Sequence, residues 1–137
     1  MKTRNKRKNW GRTVYAVALA LLLLPALGGY LCQNRTSRIC ERAVALAGKA
    51  AEEALGGDYS TAEELFIELE RLWSEERPYM GVLYDHETAN RMGESILRMS
   101  VFAGTGAKEA LLAEVRVFTC QADALKNADR LTLANLF

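Results

Sequence analysis

Residues 14–31 read VYAVALALLLLPALGGYL, an apolar stretch of 18 residues without a charge. As an α-helix it would be about 27 Å long, close to the roughly 30 Å hydrocarbon core of a bilayer. Trp10 and Tyr30 stand near its two ends, where aromatic side chains favour the headgroup region. The sequence therefore predicts a transmembrane helix over residues 14–31, in which Pro25 is tolerated as a kink.

Charge is distributed unevenly on the two sides of this stretch. Six of the 18 basic residues precede it and no acidic residue occurs before Glu41, so the remaining 12 basic residues meet 17 acidic ones and leave a net charge of −5. Basic residues beside a membrane helix favour the cytoplasmic side. We therefore predict a basic cytoplasmic arm over residues 1–13 and an extracytoplasmic remainder, in a single-pass cell-membrane protein. The arm lacks the interleaved aromatics of a nucleic-acid-binding segment, so the bilayer is the predicted partner and nucleic acid is not.

A cleaved signal peptide is the main alternative to a membrane anchor. The basic start, the apolar stretch and the small residues Ala26 and Gly28 would also suit a cleavage site. A lipoprotein signal fits poorly, because Tyr30 and Leu31 rather than small residues precede Cys32. The sequence therefore allows two alternatives for the N-terminal helix, an uncleaved membrane anchor and a cleaved signal peptide.

Turn residues divide residues 36–137 into four helical segments. Ser37 is a good N-cap type for a first helix, which could also continue from the membrane helix, and Gly56-Gly57 predicts its end. Pro78 predicts either the start of a third helix or a sharp kink. A fourth helix is predicted after the glycine-rich turn that ends at Gly106.

Apolar residues recur at helical spacing in all four segments. The predicted core positions are Ile39, Ala43, Leu46, Ala50 and Ala54; Tyr59, Ala62, Leu65, Phe66, Leu69, Leu72 and Trp73; Val82, His86, Ala89, Met92, Ile96, Met99 and Ala103; and Leu111, Val115, Phe118, Ala122 and Leu125. Helices joined by short turns bury such faces by packing antiparallel. We therefore predict an all-α fold: an N-terminal transmembrane helix followed by an up-down antiparallel bundle of about four helices.

The single histidine lies in the sequence Tyr84-Asp85-His86-Glu87, which invites a metal or acid–base interpretation. Successive side chains on a helix diverge by about 100°, however, whereas chelating pairs are three or four residues apart. His86 also falls in the apolar stripe between Val82 and Ala89. We therefore predict a structural histidine that is hydrogen-bonded to a carboxylate or carbonyl of a neighbouring helix.

The sequence contains no complete motif for catalysis or cofactor binding. It lacks HExxH, a glycine-rich phosphate loop and a G-x-S-x-G elbow. Cys32, Cys40 and Cys120 are too few and too scattered for a zinc site. A Cys40–Cys120 disulfide is chemically allowed outside the cytoplasm, although the predicted bundle places the two residues at different heights. We predict a protein without catalytic residues, metal or cofactor.

Several short motifs resemble a known family. They are Gly-Asp-Tyr-x-x-Ala at 57–62, Leu-Trp at 72–73, Tyr-Asp-His-Glu at 84–87 and Leu-Thr-Leu-Ala-Asn-Leu-Phe at 131–137, after a basic start and one membrane helix. The chain resembles domain-of-unknown-function family 4363, small bacterial single-pass membrane proteins. The resemblance implies the same layout, supplies no activity, and marks candidate structural or partner-contact residues. These are Trp73, Asp85, His86 and Asn135. This chain departs from the expected pattern with small residues at Ala89 and Gly93.

The functional prediction combines the anchor with the missing catalytic motifs. We expect a membrane-anchored extracytoplasmic helical domain that acts as a non-enzymatic protein-interaction or structural module of the bacterial cell envelope. Its expected partners are the bilayer and another membrane or envelope protein, with no small-molecule substrate. The alternative is an extracytoplasmic ligand-sensing four-helix bundle, which would ordinarily have a second membrane helix and a signalling domain.

Overall fold

The computed structural model describes the backbone of residues 3–134 and the side chains of residues 12–128. The described part contains no strand, which confirms the all-α prediction. The helices are α1 (Thr3–Gly56), α2 (Tyr59–Leu83), α3 (His86–Thr105) and α4 (Lys108–Ala134). The chain divides into two compact units, Met1–Asn34 and Arg35–Phe137.

The first unit contains the apolar part of α1. Its consecutive leucines at positions 21–24 are 54–68% exposed, although four consecutive helical residues point in all directions. None of the most apolar window is buried, and α1 is the one described helix long and apolar enough to cross a membrane. An N-terminal signal sequence meets the same criteria of length and composition. A single membrane span is therefore compatible with this unit.

The second unit is an antiparallel helical bundle built from α1 after Asn34 together with α2, α3 and α4. Two ion pairs define the direction of α2 against α1: Arg35 lies 2.7 Å from Glu76, and Arg42 lies 3.0 Å from Glu68. Residue numbers rise along one helix as they fall along the other, which is the antiparallel arrangement. The predicted up-down bundle is confirmed.

The core of the bundle joins small residues of α1 to large residues of α2, α3 and α4. The buried alanines of α1 are Ala43, Ala47, Ala50, Ala51 and Ala54, and the largest fully buried side chains include Phe66, Leu69, Met80, Met92, Ile96, Met99, Leu111 and Phe118. Close packing through these alanines compensates for the few large side chains of α1. Most predicted core positions are therefore confirmed, whereas Tyr59 at the start of α2 is half-exposed.

A new helix start is one of two alternatives at Ser37 and at Pro78, and it is observed at neither position. The structure shows no helix start at Ser37, because α1 is helical throughout Thr3–Gly56. The helix start predicted at Pro78 is also absent, since Pro78 lies inside α2 and α3 begins only at His86. The boundary forms at Asp85, whose extended backbone and carboxylate cap the following helix. Val82 therefore belongs to α2 rather than to α3, and it is 82% exposed instead of buried.

Glycine and aspartate shape the turns of the bundle. Gly57 and Gly106 have positive φ angles of 93° and 70°, which favour glycine because other residues are strained there. Asp58 caps α2 and Asp85 caps α3, each by accepting hydrogen bonds from the threonine three residues later. The same Asp-x-x-Thr pattern thus starts two successive helices.

Candidate functional site

Trp73 is the buried centre of the contact between α2 and α3. Its indole N–H donates a hydrogen bond to the carbonyl oxygen of Ala89 at 3.0 Å. Ala89 lies in the first turn of α3, so the bond joins the middle of one helix to the beginning of the next. A buried indole N–H normally finds such a partner, because an unpaired donor is costly to bury.

Gly93 lies against the edge of the same indole. A Cβ atom added at Gly93 would be 3.5 Å from both Cδ1 and Nε1 of Trp73, which is ordinary van der Waals contact. The missing side chain of Gly93 therefore leaves a depression beside the indole, although Trp73 itself is only 3% exposed. Gly93 and Ala89, the two small residues that depart from a bulkier pattern, both contact Trp73.

Asp85 stands between α2 and α3 as the N-cap of α3. Its carboxylate accepts the Thr88 N–H at 2.5 Å and the Thr88 hydroxyl at 2.9 Å. The backbone hydrogen bond from Thr88, followed by its hydroxyl bond, lowers the pKa of Asp85 below its ordinary value. The carboxylate is therefore engaged in starting a helix.

His86 is exposed, so the predicted buried histidine is wrong. It is the first residue of α3, directly after the N-cap Asp85. Its ring lies over Gly81, where an added Cβ would come within 2.7 Å of Nδ1. Gly81 is buried, and its missing side chain provides the space that the imidazole occupies.

The four candidate residues do not form a single cluster in the described part of the chain. Asp85 and His86 are neighbours at the start of α3, and Trp73 is bonded to the same helix one turn later. Asn135 lies outside the described residues. A joint contact of Trp73, His86 and Asn135 stays a prediction.

A second polar contact, between α3 and α4, is centred on Glu114. Its Oε1 accepts the hydroxyl of the fully buried Ser95 at 2.5 Å and two N–H groups of Arg98 at 2.9 and 3.1 Å. Burial raises the pKa of Glu114, but the hydrogen bonds from Arg98 and Ser95 outweigh it and bring the pKa below its ordinary value. The sequence analysis missed this contact, although Ser95 and Arg98 are three residues apart and so share a helix face.

The cysteines differ in accessibility. Cys40 is fully buried and Cys120 is exposed, and no disulfide joins the two. Burial raises the pKa of the Cys40 thiol to about 11, so this thiol is protonated at neutral pH. Within the part of the chain whose side chains are described, no three His, Cys, Asp or Glu residues are grouped to hold a metal ion.

A groove follows the outer seam between α2 and α3, and we call it the α2–α3 groove. It has two depressions of about 410 and 330 Å³. The first is lined by Glu70, Trp73, Ser74, Arg77, Asn90, Gly93, Glu94, Ile96 and Leu97, and the second by Tyr59, Ala62, Glu63, Phe66, Ser100, Ala103 and Gly104. Because these residues recur every three or four positions on each helix, the two depressions lie along one seam. The groove is the candidate functional surface of the bundle.

Comparison with known proteins agrees with this architecture. The fold and the groove define a helical-bundle protein with one candidate membrane helix. Residues 30–136 match the model of the family described as domain of unknown function DUF4363. This match covers most of the chain, so the chain belongs to that family, as its short motifs indicate. No curated protein and no solved structure matches it.

Proposed function

We propose that this protein is a non-enzymatic, membrane-tethered interaction module whose extracytoplasmic bundle contacts another protein of the cell envelope. The observation that supports this most directly is the contrast between the two units. The leucines of the first unit are uncovered, whereas the second unit buries a core of its own. Uncovered leucines in such number require lipid or a partner. A bundle with its own core is available for contacts at its surface.

The orientation in this proposal follows from the charges. Six basic residues and no acidic residue precede the apolar stretch, and a net charge of −5 follows it. Positive charge near the end of a membrane helix favours retention in the cytoplasm. The acidic bundle is accordingly placed outside.

The roles of the polar side chains support an interaction module over an enzyme. Asp58 and Asp85 cap helices, and Glu114 joins two helices through Ser95 and Arg98. A catalytic acid or base must instead be available to a substrate. These carboxylates are occupied by contacts that build the bundle.

The first experiment tests the anchor and the orientation in living cells. The full chain is fused at its C-terminus either to alkaline phosphatase, which is active outside the cytoplasm, or to β-galactosidase, which is active inside. We expect phosphatase activity, resistance of the chain to extraction by alkaline carbonate, and an uncleaved N-terminus. Phosphatase activity in the medium, or β-galactosidase activity from the membrane fraction, would contradict the proposal.

Two matched substitutions sharpen this experiment. Leu22→Arg places a charge in the middle of the apolar stretch, which costs about 3 kcal/mol when the helix inserts into the bilayer. We therefore expect the variant chain to be lost from the membrane fraction. Leu112→Arg makes the same change at an exposed position of α4, so membrane association should be unchanged. Equal behaviour of the two variants would show that the apolar stretch is not the anchor.

A further inference from the structure

We propose that the α2–α3 groove binds one amphipathic helix of a partner protein, with aliphatic or aromatic side chains along its centre and lysines or arginines beside them. This inference rests on the proposed function, because it names the surface through which the module acts. It follows from the shape, the apolar floor and the charge of the groove.

The shape of the groove suits a helix. On α2 its lining extends from Tyr59 to Arg77, and on α3 from Asn90 to Gly104. The 19 residues on α2 span about 27 Å and the 15 residues on α3 about 21 Å, so a partner helix of four or five turns would fit along the seam. Each depression is at the small end of the size range of ligand pockets, which suits one large anchoring side chain.

The apolar part of the groove consists of buried side chains in its floor and exposed side chains along its edges. Trp73 and Phe66 lie in the floor and are almost fully buried, and Gly93 lies beside the edge of the indole. Leu97, which lines the first depression, is 59% exposed. Ile67 and Val101, each next in sequence to a residue that lines the second depression, are 59% and 53% exposed. Single exposed aliphatic side chains are common on protein surfaces, but a row beside a groove marks a surface for binding. Anchors of a partner helix would cover these side chains.

The charge of the groove selects the flanking residues of the partner. Three carboxylates line it, those of Glu63, Glu70 and Glu94, of which Glu94 also lies 3.8 Å from the guanidinium of Arg98. The single lining cation, Arg77, donates a hydrogen bond of 2.6 Å to Asn90 at one end of the groove. The carboxylates therefore give the groove a negative potential. Lysines or arginines beside the anchors would complement this charge and exclude acidic partners.

Charge also argues against a second copy of this chain as the occupant. The sequence after the apolar stretch carries a net charge of −5. Two copies joined through their α2–α3 grooves would bring like-charged carboxylates together, which costs free energy at an interface. A basic helix from a different protein would instead be attracted by the same carboxylates.

The test uses the full chain in phosphatidylcholine nanodiscs and fluorescently labelled synthetic peptides. The first peptide is a helix of roughly 18 residues with leucines at positions i, i+3, i+4 and i+7, flanked by lysines. The second keeps the leucines but has glutamates as flanks, and the third keeps the lysines but has serines in place of the leucines. Fluorescence anisotropy measures binding, with empty nanodiscs as the blank. We expect the first peptide to bind at least about tenfold more tightly than the other two.

Variants locate the binding. Gly93→Leu fills the depression beside Trp73 and should weaken binding of the leucine–lysine peptide by about tenfold or more. Gly48→Leu lies in open space on α1 and should leave binding unchanged. Circular dichroism checks that both are folded. If Gly93→Leu does not fold, Glu70→Lys provides the test, with Glu52→Lys on exposed α1 as its control. Only the Glu70 variant should weaken binding.

Three outcomes would overturn the groove proposal. They are equal binding of the lysine peptides with and without leucines, equal effects of groove and control variants, and a wild-type dimer that Gly93→Leu dissociates in analytical ultracentrifugation. The first two would indicate general electrostatic attraction, and the third would make a second copy the occupant. The reporter fusions test the proposed function separately, so a correctly anchored, externally exposed chain with an inert groove would refute only this inference.

Discussion

The indole N–H of Trp73 and the carbonyl oxygen of Ala89 lie 3.0 Å apart, and this bond connects α2 to α3 through two residues that are 16 positions apart in sequence. Ala89 is itself buried, so the bond lies between the packed faces of α2 and α3. It therefore helps to define how these helices are aligned, and with them the two sides of the groove.

Substitution at Trp73 should separate the hydrogen bond from the packing. Trp73→Phe keeps most of the apolar volume and should cost about 1–2 kcal/mol in the free energy of unfolding, whereas Trp73→Ala leaves a cavity and should cost about 3–5 kcal/mol. Denaturant unfolding of the full chain in a mild detergent, followed by circular dichroism, measures both. Equal losses for the two variants would show that the indole volume contributes little.

Ser95 and Glu114 should be coupled in stability. Ser95→Ala removes a buried hydroxyl that donates to a carboxylate, so we expect a loss of about 1–3 kcal/mol. Ser74→Ala, at an exposed position of α2, should change the free energy of unfolding by less than about 0.5 kcal/mol. In a Glu114→Gln background, the effect of Ser95→Ala should shrink. An undiminished effect there would contradict the coupling.

The same contact gives an acid dependence of known sign. The pKa of Glu114 is lower in the folded state than its ordinary value, because hydrogen bonds from Arg98 and Ser95 outweigh the effect of burial. A folded-state pKa below the unfolded one adds stability that is complete above the unfolded pKa and is lost as the pH falls through the folded one. We therefore expect this contribution to be complete above the ordinary pKa of about 4.5, to decrease below it, and to be lost once the pH is below the folded-state pKa. The free energy of unfolding, measured at pH values between about 3 and 7, should change less with pH for Glu114→Gln than for the wild type.

The sequence predicts most of the bundle because its strongest signals are local. The face from Ala89 to Ala103 repeats at helical spacing without interruption, and those positions are buried in the structure. The prediction is wrong where two local signals compete. Pro78 disfavours a helix interior, but Asp85 and Thr88 provide a better helix start, so the boundary forms seven residues later.

The candidate site could be predicted only in part, since its contacts depend on how helices are aligned. Trp73 is recognisable from the sequence, whereas its acceptor is a backbone carbonyl that no side-chain pattern reveals. His86 continues the apolar spacing backwards, but the first residue of a helix is buried only if another element covers it. The groove was missed because Gly93 is informative only once Trp73 is known to lie beside it.

Asp85 should stabilise the start of α3 through hydrogen bonds to its carboxylate oxygens rather than through its charge alone. Asp85→Ala removes the acceptor of two hydrogen bonds from Thr88 and should lower the unfolding temperature of the full chain. Asp85→Asn keeps an acceptor oxygen and should retain most of the wild-type unfolding temperature at neutral pH. Thermal unfolding at pH 7 compares the two, with Asp123→Ala on exposed α4 as the control. An asparagine variant as unstable as the alanine variant would argue against capping.

His86 and Gly81 should show a coupling that reveals their contact. His86→Ala changes an exposed side chain, so the free energy of unfolding should change by less than about 0.5 kcal/mol. Gly81→Ala introduces a methyl group within 2.7 Å of the imidazole and forces that ring to move. The cost of Gly81→Ala should therefore be smaller in the His86→Ala background, as a double-mutant cycle would measure. Additive effects would indicate that the two residues are not in contact.

The alanines of α1 should tolerate enlargement poorly, because the helix packs closely through them. Ala43 and Ala47 are buried, whereas Gly48 on the same helix has open space around its Cα atom. Ala43→Leu and Ala47→Leu should each cost about 1–3 kcal/mol through overpacking, while Gly48→Ala should stabilise the bundle by up to about 1 kcal/mol because alanine favours the helix. Denaturant unfolding of the three variants tests the contrast. If Ala43→Leu and Ala47→Leu left the free energy of unfolding unchanged, α1 would not approach its neighbours closely. Close packing through alanines would then not explain how a helix with so few large side chains completes this core.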